Sequence, residues 1–169
     1  MDNCKVKTED IKNCSQEEIQ TGIINTEIYV AISEQIFRFP KLPDVSLSLE
    51  ESVTLSEDIV FNSENGFFKI DVQIESGEVK DELVGNRGNK KIKRSFEFFL
   101  PNTSARNCGF VKVFKNIPCI YIVKDTASNF RLLGSKNIPV YFEDVTGSTG
   151  KTPEDNNGWQ ISISTTSSS

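Results

Sequence analysis

From Phe68 to Ile74 the chain alternates without a break. Phe68, Ile70, Val72 and Ile74 fall on one parity, and Lys69, Asp71 and Gln73 on the other. Only an extended backbone puts residues i, i+2 and i+4 on one face, so the segment reads as a half-buried strand. The same period returns in KRSFEFFL at 93–100 and in WQISI at 159–163. Richer apolar runs, NTEIYVAI at 25–32 and CIYIV at 119–123, read as more deeply buried strands. Shorter strands are expected at 37–39, extending the first up to Pro40, and at 59–61 and 140–142. A turn at 125–129 followed by FRLLG at 130–134 completes a hairpin with the CIYIV strand. Turn residues separate most of these runs, which predicts a mainly β fold: a β-sandwich or partly open β-barrel with one flanking α-helix.

The helix is expected over 105–115. Pro101 stops the preceding strand, Ser104 is an N-cap candidate, and Phe110, Val111 and Phe114 recur at near-helical spacing. Lys112 and Lys115 lie near its end, where the helix dipole favours cations. The segment 76–94, SGEVKDELVGNRGNKKIKR, carries three glycines and six basic side chains and reads as a long charged excursion between two strands. Residues 41–55, with Pro43, serines and paired glutamates, read as a loop. The division is then a polar N-terminal arm at 1–22, with capping-box spacing at 15–18, a single β-rich domain at 23–164, and a Ser/Thr tail at 165–169 too simple to pack.

No histidine occurs, which removes imidazole bases, Ser-His-Asp and Cys-His arrangements, and the commonest metal ligand. The cysteines Cys4, Cys14, Cys108 and Cys119 form no CxxC pair, so a zinc site is not expected, and Cys119 reads as a small buried hydrophobe. The stretch TGSTGKTPEDNNGW at 146–159 contains Gly150-Lys151-Thr152, and Gly-Lys-Thr is how a phosphate-binding loop ends. The spacing fails: Val145 stands where the first glycine belongs, and Pro153 follows instead of a helix. Asp155, Asn157 and Gly158 lack the further ligands of a calcium loop. The stretch reads as a glycine-rich connection closed by an Asn-Gly turn, with Gly158 free to take a positive φ before the last strand. No catalytic residue, cofactor or metal is expected, and the chain does not read as an enzyme. The start carries no apolar signal-peptide core and no run approaches the roughly 18 apolar residues that span a bilayer, so a soluble, cytoplasmically made protein without a membrane partner is expected.

Charge is divided along the chain, whose formal net charge is −5. Residues 40–78 hold nine acidic and two basic side chains; residues 79–116 hold nine basic and three acidic. A surface with two poles favours head-to-tail association of copies. The basic cluster at 87–94 has no interleaved aromatic before Phe96, so a stacking platform for single-stranded nucleic acid is lacking.

The order of motifs resembles tail-tube-like virion proteins of phages and prophages, especially those of Bacteroidetes hosts. It runs from Thr21-Gly22-Ile23-Ile24 and the strand Glu27-Ile28-Tyr29-Val30-Ala31, through the helix, to Ile120-Tyr121-Ile122-Val123-Lys124-Asp125 and Phe130-Arg131-Leu132-Leu133-Gly134. Thr146-Gly147-Ser148-Thr149-Gly150-Lys151, Asp155-Asn156-Asn157-Gly158-Trp159 and the closing strand at 160–164 follow. The likeness covers residues 21–164; the acidic stretch at 41–58 and the arm before Thr21 depart from it. The resemblance implies a small β-sandwich or barrel with one helix that assembles with itself, commonly as sixfold rings, around a DNA channel, together with other tail or neck proteins in the virion. It also implies that the loop between two central strands, here 76–94, contacts the next ring. Lys90, Lys91, Lys93 and Arg94 are then expected to meet Glu50, Glu51, Glu57 and Asp58 of a neighbour. The other reading is a β-sandwich module that binds carbohydrate or protein. Trp159, Tyr121 and Tyr141 are its stacking candidates, although Phe supplies 12 of the aromatics and core packing is the simpler role for these three.

Overall fold

The structure, a computed structural model, describes residues 24–43 and 48–167. The arm at 1–22 with its capping-box spacing, Cys4, Cys14 and part of the acidic loop lie outside the described residues. The fold is mainly β, and the described residues form two four-stranded antiparallel sheets, a two-stranded ribbon and one α-helix. No closed barrel forms among the described residues, and the arrangement is that of a β-sandwich.

The first sheet has the order β4-β1-β7-β8, from Phe68–Asp71, Ile24–Ile32, Cys119–Asp125 and Phe130–Leu133. The second has the order β5-β6-β10-β9, from Glu78–Val84, Lys91–Pro101, Gly158–Ser167 and Tyr141–Ser148. Alternation decides which side chains face inward. In the first sheet Ile28 pairs with Val123, Val30 with Tyr121, and Ile32 with Cys119. In the second, Phe98 pairs with Ile161 and Phe96 with Ile163. These rows from both sheets share one hydrophobic core. Burying each Phe or Ile contributes about 1.5–3 kcal/mol. On the opposite face of the first sheet the pair Ala31 and Ile120 is also fully buried, as is Ile36 of the small ribbon β2 (Ile36–Arg38) and β3 (Val60–Phe61).

The helix α1, Ala105–Phe114, flanks the core. The Ser104 hydroxyl accepts from the Asn107 amide at 3.4 Å, and the Asn107 side chain donates back to the Pro101 and Asn102 carbonyls. Phe110 stacks on Phe114, and the two reach Phe142 of β9 and Phe68 of β4. One helix face thus touches strands of both sheets.

Besides the passage from β6 to β7 through α1, the chain crosses between the sheets twice, and both of these crossings are pinned by backbone hydrogen bonds. After β4 the Gln73 amide donates to the Phe99 carbonyl at 2.9 Å. Before β9, Cys119 and Val140 exchange two bonds at 2.8 and 3.0 Å.

Several boundaries differ from the sequence expectation. The strand expected at 68–74 is only four residues long: Val72 is buried, but Ile74 is 67% exposed, because the chain turns through Glu75 (φ 58°) into the crossing. The charged excursion is not a loop. Residues 78–84 form β5, paired without interruption to β6 from Glu78–Glu97 to Val84–Lys91, and only the tip is a turn. The strand expected at 140–142 runs on to Ser148, so Thr146-Gly147-Ser148 belongs to β9. The Ser/Thr tail is ordered as far as Ser167, because β6 is long enough to pair with it: Thr165 lies opposite Arg94 and Ser167 opposite Ile92. Phe37 and Arg38 do not extend β1 but belong to the separate ribbon, with Phe39 beyond its end, and a short 3-10 turn at Glu51–Val53 interrupts the acidic loop.

Gly158 does not take a positive φ. A Cβ there would collide with the Leu100 carbonyl oxygen and the Phe99 ring, so glycine is required for close strand approach. Gly109, inside α1, has nothing within 4 Å of a built Cβ. The same substitution therefore has opposite signs at the two positions. Gly109→Ala is expected to stabilise by about 0.5–1 kcal/mol by removing backbone freedom from the unfolded chain. Gly158→Ala is expected to destabilise by about 1–3 kcal/mol through overpacking. Urea unfolding of the two variants measures both.

Candidate functional site

The β5–β6 hairpin carries the cations singled out in the sequence. Its tip, Gly85 to Lys91, contains Arg87, Lys90 and Lys91 and no acid. Gly85 and Gly88 take positive φ, and the Asn89 amide donates to the Asn86 carbonyl, closing a tight turn. On the inward-facing parity the cross-strand rows are Val79–Phe96, Asp81–Arg94 and Leu83–Ile92. Phe96 is fully buried, whereas Leu83 is 72% and Ile92 40% exposed. The hairpin therefore extends past the core.

The four expected cations have different surroundings. Arg94 forms a fork with Asp81, its Nε donating to Oδ1 at 2.6 Å and Nη2 to Oδ2 at 2.9 Å. Its Nη1 also donates to the Leu132 carbonyl of the other sheet at 3.3 Å. The Arg94 hydrogen bond holds the Asp81 carboxyl below the usual carboxylate range. Lys93 pairs with Glu143 of β9 at 3.2 Å, and the Ser164 hydroxyl and Lys93 together hold the Glu143 carboxyl low. Lys90 donates to the Gly85 carbonyl at 2.6 Å. Among the described residues no ion pair involves Arg87, Lys90 or Lys91. Lys93 and Arg94 are thus neutralised within the chain, and Arg87 takes their place as an outward cation.

The expected acidic partners do not meet these cations within one chain. Glu50 and Glu51 sit at the short helical turn, where the Glu50 carbonyl accepts from the Thr54 hydroxyl at 2.8 Å. Glu57 pairs with Arg38 at 2.6 Å, and Asp58 is exposed. Val53 and Val60, on the same stretch, are 78% and 43% exposed.

The three stacking candidates do not form one platform. Tyr121 is 1% exposed on the inner face of β7, and burial pushes its hydroxyl pKa up. Trp159 lies on the inner face of β10 against Gly147, which has no side chain to displace the indole. Tyr141 is half-exposed and pairs with Ser164.

The Gly-Lys-Thr segment is occupied by its own chain. The Asp155 carboxylate accepts from the Lys151 amide at 2.8 Å and the Thr152 amide at 2.9 Å, and the Gly150 amide donates to the Ser148 hydroxyl at 3.1 Å. Amides that would face a phosphate are already satisfied by a built-in anion. Asn157 then fastens this loop to the start of α1, its side-chain oxygen accepting from the Thr103 amide and hydroxyl at 3.1 and 2.9 Å. Sequence reasoning missed Asp81, Glu143 and the carboxylate role of Asp155. The available signal for Asp81 was symmetry: it and Arg94 are equidistant from the hairpin turn.

Comparison of the chain with protein-family models, with curated proteins and with solved structures finds no match. Among the described residues, no helix is long and apolar enough to cross a membrane.

The Lys151 and Thr152 amides hold the Asp155 carboxyl below its ordinary value of 3.8. An acid with a depressed native pKa stabilises the fold above its unfolded value and loses that contribution as pH falls through the native one. Asp155→Ala is expected to lower the melting temperature at pH 7, with the gap from the parent chain closing as pH falls below the carboxylate range. Thermal melts across pH check this, and a gap that persists at the acid end would assign the effect to something other than the carboxylate.

Proposed function

We propose that the chain is a self-assembling structural protein of a phage virion, a ring or tube component of a tail or head–tail junction around a DNA channel, in rings that are most simply sixfold. The observation that carries this reading is the β5–β6 hairpin: it projects past the core with an exposed apolar pair, Leu83 and Ile92, and a tip of three cations. A solitary binding module gains nothing from such a projection, whereas copies that stack or close into a ring need one heterologous contact per subunit. The acidic stretch around Glu50 and Asp58, with exposed Val53 and Val60, has the complementary charge and its own apolar positions. The mainly β architecture with a single flanking helix is what the motif order implied. In this reading the protein is made in the bacterial host cytoplasm and acts in the virion beside other tail or neck proteins. Its function is geometric, not catalytic. A channel for DNA requires weak phosphate contact, since lumen-facing cations would hold the passing duplex in a salt-dependent way. The net charge of −5 suits that requirement.

Negative-stain microscopy and light scattering of the purified chain test the reading; rings or tubes are expected, and a strict monomer that binds glycans would replace it with the binding-module reading. Reversing Lys90 and Lys91 to Glu should shift the assembled fraction to smaller species, most strongly at low salt. Adding Glu50→Lys and Asp58→Lys to that variant should restore part of it. Assembly indifferent to both changes would remove the hairpin from the interface.

A further inference from the structure

The hairpin leaves the sandwich at one row of residues. Inside that row Phe96 is fully buried and Val79 packs on the core; outside it Leu83 and Ile92 are exposed. A two-stranded ribbon beyond its core has little to fix its twist. Here β10 lends a third strand on one side as far as Ser167, while β5 remains an edge. The row at the exit is Asp81–Arg94.

Arg94 grips three strands at that point. It is rooted in β6, forks onto both oxygens of Asp81 in β5, and donates to the Leu132 carbonyl of β8 in the opposite sheet. Arg131, also on β8, adds a positive charge near Asp81 and lies 3.9 Å from Asp125. Bidentate geometry fixes direction as well as distance, which a single flexible ion pair does not.

We propose that the Arg94–Asp81 fork is a clamp that sets the direction in which the β5–β6 hairpin leaves the sandwich. Arg94 is a positioning residue, and the contact with a second copy falls to Arg87, Lys90 and Lys91 at the tip. The tip's role rests on the assembly reading above; the clamp itself does not.

Hydrogen exchange on the full chain, with assembly measured on the same samples, separates the two. Arg94→Lys keeps the charge but cannot form the fork, and Asp81→Asn removes the carboxylate at similar size. In both, amides between residues 82 and 92 should exchange at least about tenfold faster, while those of Phe98, Tyr121 and Ile161 keep their parent rates. Unchanged hairpin exchange in both variants overturns the clamp. So does a uniform rise in hairpin and core, since that would mean a general stability role. A loosened hairpin in a chain whose assembly ignores both the clamp variants and the Lys90/Lys91 reversal leaves the clamp standing and overturns the assembly reading.

Discussion

The fold depends on the pairing of β6 with β10, which runs in unbroken register from Pro101–Gly158 to Ile92–Ser167. Because the side-chain period of a strand is two, a slip of one residue would turn Phe96, Phe98 and Leu100 outward and bring Glu97 in. The register therefore selects the inner face, and the inner face selects what can pack on it. Ile28, Val30, Tyr121 and Val123 supply the matching layer from the first sheet. The helix, the two pinned crossings and the projecting hairpin are all placed relative to this strand pair.

Much of this was legible locally. The β7–β8 hairpin announced itself by an apolar run, a turn and a return strand. The helix showed its cap, its aromatic spacing and its terminal lysines. β5 did not, because EVKDELV puts Asp81 between Val79 and Leu83 on the inward parity. Its strand character comes from β6, a non-local partner that no window of seven residues contains. The Ser/Thr tail is the same case: its composition suggests no packing, yet β6 is long enough to hold it through Ser167. Ile74 failed in the opposite direction, since alternation continued in the sequence after the backbone had already turned at Glu75.

The candidate site was legible as a cluster of charge but not as an arrangement. Sequence placed Lys90, Lys91, Lys93 and Arg94 together; register then gave Lys93 to Glu143 and Arg94 to Asp81, and brought Arg87 to the tip. Charge in a sequence counts groups, whereas function uses those left after internal pairing. The Gly-Lys-Thr segment teaches the same lesson for amides. Its donors are real, but Asp155, four residues after Lys151, consumes them before any ligand arrives.

Cys119 gives the molecule an internal reporter. Its thiol is fully buried at the bridge to Val140, and burial pushes its pKa up to about 12. Only a thiolate attacks a disulfide or maleimide reagent at a useful rate, so in the closed sandwich this sulfur is silent. It becomes labelled when the crossing before β9 opens. Followed on the peptide that carries it, apart from Cys4, Cys14 and the half-buried Cys108, the rate of its labelling is thus a clock for breathing between the sheets.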